Sequence, residues 1–280
     1  MLRKSIALAA LGLAIIAGPA VAAGSPEEPQ SVAWSFGGPF GKFDAAQVQR
    51  GYKVYREVCS ACHSMNLMFF RNLGQKHGPF YDPEYANPNE NPYVKALAKD
   101  IQVNDIDQET GDTVQRAATP ADKFPSPFPN EAAARASNGG ALPPDLSVIT
   151  KARDGGPDYV YSILIGYKTP PAGLTVGPGQ HYNPYMPGDL TAYWTGKGHA
   201  PKGGFIAMAP PLADGKVTFD DNKPSTVDQQ AKDVVAFLAW ASEPKQTERK
   251  QFGFGAMIYL FIFTILLWFS YKRIWRNVGH

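Results

Sequence analysis

Cysteine is almost absent from this chain. Two of the 280 residues, Cys59 and Cys62, are cysteine, too few for a disulfide framework. A structural zinc needs four close ligands, and the histidines other than His63 are scattered at His77, His181, His199 and His280. A surplus of one charge is lacking as well, since 27 Lys and Arg face 25 Asp and Glu. Nothing here resembles the basic footprint that neutralises phosphates, so nucleic acid is not an expected partner. There is no internal repeat.

The two cysteines are set beside a histidine. In Cys59-Ser60-Ala61-Cys62-His63 the spacing lets two thiols reach the two vinyl groups of one haem while the adjacent imidazole ligates its iron. A thioredoxin-type dithiol shares the CxxC but wants a βαβ setting. The motif therefore predicts one covalently bound haem c on Cys59 and Cys62, with His63 as an axial ligand.

Two apolar segments bracket the chain. Arg3 and Lys4 precede an apolar run from Ile6 to Ala17, and Ala20-Val21-Ala22 has the small-x-small pattern of a cleavage site, so residues 1–22 read as a signal peptide. Export suits the motif, because thioether formation consumes both thiols and leaves nothing to oxidise. At the other end Gln251 to Tyr271 holds 21 residues without a charge, long enough to span a bilayer and apolar on every face. Arg249 and Lys250 stand before the run, and Tyr271, Lys272, Arg273, Trp275 and Arg276 form an aromatic and basic belt after it. Residues 249–272 are thus expected to be a transmembrane anchor, with the body outside and a short tail, 273–280, inside.

Setting aside the five cations at Arg3, Lys4, Lys272, Arg273 and Arg276 leaves 22 basic against 25 acidic side chains, so the exported part is mildly acidic. Asp100, Asp105, Asp107, Glu109 and Asp112 fall in thirteen residues without Lys or Arg. Such a run reads either as a solvated loop or as a surface that steers a basic partner.

The body, 23–248, is expected to be one haem domain, mainly α. Asp44 can cap a helix whose apolar positions Val48, Tyr52, Tyr55 and Val58 follow the 3.6 period and deliver Cys59 at its end. Thr226 and Gln229 make a capping box, after which Val227, Ala231, Val234, Val235 and Leu238 continue as an amphipathic helix until Pro244. A helix carrying CxxCH and a terminal helix packed on it are what a cytochrome c core requires. Between them lie long Pro- and Gly-rich insertions interleaved with aromatics such as Phe124 and Phe128, while Tyr159 to Tyr167, ambiguous by period, reads as helix.

His63 fills one face of the iron, and candidates for the other are Met65, Met68, Met186, Met208, His77, His181 and His199. Met65 and Met68 sit too near His63 to swing round the haem. Met208 lies in Ile206-Ala207-Met208-Ala209-Pro210-Pro211, where small neighbours let the backbone approach a porphyrin and two prolines stiffen the loop. Met186 and His199 remain the alternatives.

These blocks together resemble the cytochrome c1 family, the haem subunit of the bacterial cytochrome bc1 complex. The likeness rests on Arg50 to Met65, on Gly140-Ala141-Leu142-Pro143-Pro144-Asp145-Leu146-Ser147, on Lys151-Ala152-Arg153 with Gly155 to Val160, on Tyr182 to Gly188, on Ile206 to Leu212, and on Trp240-Ala241 with Glu243-Pro244. The resemblance implies that Cys59 and Cys62 bind the haem, that His63 and Met208 ligate iron, that Arg153 and Tyr159 lie near the propionates, and that Asn138 and Pro144 line the pocket. It implies electron transfer from a Rieske iron–sulfur subunit to a soluble cytochrome c or c2, beside cytochrome b, in a dimeric complex in the bacterial inner membrane, with the haem domain in the periplasm and membrane lipid around the anchor. Residues 189–200 are an insertion relative to shorter relatives, and a cysteine pair that braces this region in some of them is missing. Another membrane-anchored electron carrier would share haem and anchor without the ALPPDLS block; a haem enzyme or gas sensor would need an open sixth position.

Overall fold

The structure, a computed structural model, describes residues 25–279; the expected signal peptide, 1–22, and His280 lie outside the described residues. The chain divides into two compact units, one of residues 29–165 and 207–279 and a smaller one of residues 25–28 and 166–206.

The larger unit is mainly helical. Its first helix, α1 (Ala45–Val54), starts where the Asp44 carboxylate accepts the Ala46 and Gln47 backbone amides, as the sequence predicts. The helix does not run unbroken to the cysteines, because a π turn, Tyr55–Cys59, closes it. There follow α2 (Phe70–Leu73), α3 (Pro92–Lys99), the hairpin β1 (Gln102–Ile106) and β2 (Thr113–Ala117), α4 (Glu131–Ser137) and α5 (Gly156–Ile165). The chain returns to this unit as α6 (Val227–Ser242) and α7 (Gln246–Trp275). The Thr226 hydroxyl accepts the Gln229 amide at the start of α6, and the segment from Tyr159 to Tyr167, ambiguous by period, is helical in α5 as far as Ile165.

Close approach of α1 and α6 forms the centre. A Cβ at Gly51 would lie 2.0 Å from the Asp233 carbonyl oxygen and 2.7 Å from the Phe237 Cβ, so only glycine lets the two helices touch here. Beside this point the Arg50 guanidinium reaches the fully buried Asp233 at 2.8 Å and Asp221 at 2.5 Å. Burial raises the Asp233 pKa against the pull of Arg50, so the pairing is what keeps a carboxylate there. Tyr52, Tyr55, Phe124 and Phe237 pack ring against ring with centroids 5.6 to 6.0 Å apart, and Trp240 stacks on Phe237.

The acidic run expected as a loop or docking surface folds into the β1–β2 hairpin, in antiparallel register from Gln102 opposite Ala117 to Ile106 opposite Thr113. Arg116 pairs with both Asp105 and Asp122, so part of the run's charge is neutralised at the base of the hairpin.

In the smaller unit β3 (His181–Asn183) pairs with β4 (Gly204–Ile206), and Leu174, Tyr182 and Leu190 form a separate small core with Trp194 and Phe205 against it. The 189–200 insertion is therefore built in, supplying Leu190 and Trp194 to that core. Gly173, at φ +102°, leaves room for the Gly196 backbone, which a Cβ would meet at 2.8 Å.

Helix α7 has a 30-residue run with a mean hydropathy of 2.2 over its most apolar window, none of which is buried. It is long and apolar enough to cross a membrane.

Candidate functional site: the CxxCH turn and its surroundings

The π turn hands the chain to a tight bend that carries the motif. The Ser60 amide donates back to Tyr55 O at 2.8 Å, and the Cys62 and His63 amides both donate to Cys59 O, at 3.1 and 2.9 Å. Cys59 is half-buried, Cys62 is exposed, and both are free thiols. Burial pushes the Cys59 thiol up to about 12, against the opposing charge of Lys216.

His63 Nδ1 lies 2.8 Å from the Pro144 carbonyl oxygen. A carbonyl can only accept, so Nδ1 carries the proton and Nε2 keeps its lone pair, the tautomer that a metal-ligating histidine requires. Burial lowers the His63 pKa, outweighing the Pro144 carbonyl and Asp145, which favours the neutral ring. These features fit a covalently attached haem: two neighbouring free thiols, and beside them an imidazole whose second nitrogen is held and whose first is available.

Asp145 was not singled out in the sequence, yet it joins the motif to the block around Pro144. Its Oδ2 accepts the Ser64 hydroxyl at 2.8 Å and the Asn66 amide at 2.7 Å, and its Oδ1 accepts the Ser147 amide at 2.8 Å. The Leu146 amide donates to Ser64 O at 2.8 Å, and the Leu67 amide to the Ser147 hydroxyl at 3.1 Å. Burial raises the Asp145 pKa, but the hydrogen bonds from Ser147, Asn66 and Ser64 win and hold it low. The one available signal was the Pro-Pro-Asp-Leu-Ser order, which favours a turn in which Asp bonds its own backbone two residues on.

The other expected residues are distributed as follows. Asn138 ends α4 and turns its Nδ2 onto Ala134 O at 2.7 Å, a helix-capping contact; Pro144 contributes its carbonyl to His63. Arg153 is exposed and its Nη1 donates to Ala152 O, while Tyr159 is half-buried and its pKa is raised by burial against the opposing Arg153 charge. Met208 is half-buried in the bend that follows β4. Farther along, Lys216 donates to Pro211 O at 2.6 Å; the same lysine acts on Cys59. Of the alternatives, Met65 and Met68 are buried core side chains, His199 is exposed, and Met186 is half-buried in the smaller unit.

A motif of this geometry on a chain that has, among the described residues, one helix long and apolar enough to cross a membrane defines a membrane-anchored c-type haem protein. The model of the cytochrome C1 family matches residues 34–278, and the chain belongs to that family. It is 42% identical to cytochrome b/c1 of Bradyrhizobium diazoefficiens over 97% of its own length, though it spans only 40% of that protein. Cytochrome c1 of Blastochloris viridis is 39% identical over 95% of this chain and 93% of its own. The mitochondrial cytochrome c1, heme protein, of Saccharomyces cerevisiae is 43% identical over 88% of this chain and 72% of its own. The family is one of haem proteins.

Proposed function

We propose that this chain is the electron-transfer subunit of a cytochrome bc1 complex, taking an electron from the Rieske iron–sulfur subunit and passing it to a soluble cytochrome c or c2. The observation that carries the reading is the His63–Pro144 contact, braced by Asp145, in a member of the cytochrome c1 family. Haem c bound here supplies a one-electron carrier. Everything else is the work of this chain's side chains.

Cys59 and Cys62 would hold the group through thioether bonds. His63 would offer Nε2 to the iron while the Pro144 carbonyl holds Nδ1. Met208 would be the second ligand in this reading, on a loop whose Pro211 carbonyl is held by the Lys216 ammonium. A thioether ligand raises the potential relative to a second histidine. Arg153 and Tyr159 would receive the propionates, the guanidinium offering them a charge-assisted donor. Asn138, whose amide caps α4, orders the backbone that leads to Pro144. No bond of a substrate is made or broken on this chain.

The same reading places residues 23–248 in the periplasm of a bacterial inner membrane, 249–272 across it and 273–280 in the cytoplasm, with residues 1–22 removed on export. Cytochrome b, the Rieske subunit and a second copy of the complex are the partners. The test is quinol-dependent reduction of soluble cytochrome c by material that copurifies in mild detergent with the tagged chain. Inhibitor-sensitive turnover with both b- and c-type haem is the expected result; an assembled preparation with c-type haem alone and no turnover overturns it.

A further inference from the structure

Residues 35–42, on the larger unit, form a closed loop against the first turns of α7. The Gly37 amide donates to Trp34 O and the Lys42 amide to Ser35 O, each at 2.9 Å. The bend is tight enough that a Cβ at Gly41 would lie 1.9 Å from Gly37 O. From α7 the Lys250 ammonium reaches back to Phe36 O at 2.7 Å and Gly41 O at 3.4 Å. At the tip Phe40 is 69% exposed, and its ring meets Phe254 edge to face with centroids 5.3 Å apart.

Phe254 is the fourth residue of the charge-free run that opens at Gln251. At 1.5 Å of rise per residue it stands about 5 Å inside that run, the depth of the headgroup and acyl boundary. A side chain in contact with Phe254 shares that depth. Behind the loop a cavity of about 430 Å³ is lined by Lys42, Gln49, Tyr81, Thr247 and Gln251, with Lys42 its sole lysine or arginine and no carboxylate in its wall.

We infer that the 35–42 loop is a membrane-docking element of the haem domain itself, with Phe40 seated among the lipid chains beside Phe254 and Lys42 facing the phosphates of anionic lipid headgroups. The inference rests on α7 crossing the membrane. Its consequence is mechanical: Lys250 ties the loop to α7 and Phe40 ties it to the bilayer, which restricts swinging of the haem domain about the junction at Pro244.

The test uses the full chain with its haem attached, which consumes both native thiols, reconstituted in vesicles of phosphatidylcholine and phosphatidylglycerol. A nitroxide label carried at Phe40→Cys is compared with labels at Tyr259→Cys, in mid-span, and at Tyr93→Cys, exposed on α3. The expected result is that oxygen collides with the Phe40→Cys label several-fold more than a water-soluble nickel chelate does, as at Tyr259→Cys. Preference for nickel, as at Tyr93→Cys, overturns the inference, and so does protection from both, which marks cover by protein. A nickel-preferring Tyr259→Cys label instead overturns the anchor reading, and this inference with it. Adding Lys42→Glu is expected to lower the oxygen preference at Phe40→Cys in vesicles containing phosphatidylglycerol and not in phosphatidylcholine alone; an equal response in both removes Lys42 from the assignment.

Discussion

His63 and Pro144 are 81 residues apart in the chain and 2.8 Å apart in the fold, Nδ1 to carbonyl oxygen. That contact fixes the ring's tautomer and plane, and it exists because Asp145, the next residue, is bonded to Ser64 and Asn66 on the other side of the histidine. Proximal geometry is thus set by a carboxylate that touches neither the imidazole nor the thiols.

Replacing Asp145 by Ala removes an ionised acceptor from three donors, one of them the Ser64 hydroxyl. Loss of about 2 kcal/mol of stability is expected for a partly buried group of this kind, with a lowered haem potential because the His63 ring is no longer held. Denaturant unfolding and a redox titration of the same sample check both. Asp145→Asn, which retains an acceptor, is expected to fall between.

Acid sensitivity follows from the sign of the shifts. Asp145, held low by its hydrogen bonds despite burial, and Asp122, held low first by Arg116, both have folded pKa values below those of the unfolded chain. Their contribution is complete above the unfolded value of about 3.9 and is lost as pH falls through the lower folded values. Denaturant midpoints are expected to be flat on these groups' account from neutral pH to about pH 5 and to drop below about pH 4, less steeply in Arg116→Met, which leaves Asp122 only its Thr119 hydrogen bonds.

Gly51→Ala directs a Cβ to within 2.0 Å of Asp233 O. The helices α1 and α6 must separate, and a loss of about 1 to 3 kcal/mol is expected from the disturbed packing. Haem attachment should also suffer, since α1 leads through the π turn into the motif. The yield of holoprotein and its unfolding midpoint are the measurements; an unchanged midpoint refutes the close crossing.

Met208→Leu is expected to lower the haem potential by more than about 60 mV, one decade in a one-electron equilibrium, and to open the reduced iron to carbon monoxide. A potential and spectrum like those of the parent exclude Met208 and turn attention to Met186 or His199.

Local chemistry made much of this protein legible from its sequence alone. Asp44, Thr226 and Gln229 announce helix starts because capping uses residues within three positions of each other. The CxxCH motif is likewise a five-residue device, and the charge-free run after Lys250 needs only its length. Contacts that close over long separations were decided by the tertiary structure. Nothing near Asp145 in sequence says that Ser64 and Asn66 are its partners, and nothing near Gly51 says that the Asp233 carbonyl occupies the space its side chain would take. The acidic run is legible only in part for the same reason: Asp107, Glu109 and Asp112 do lie in a loop, but the strand that carries Asp105 exists through pairing with Thr113 to Ala117 and the ion pairs of Arg116 with Asp105 and Asp122. Capping and spacing depend on neighbours along the chain, whereas packing and buried polar pairing depend on which distant backbone arrives, and only the folded chain supplies that.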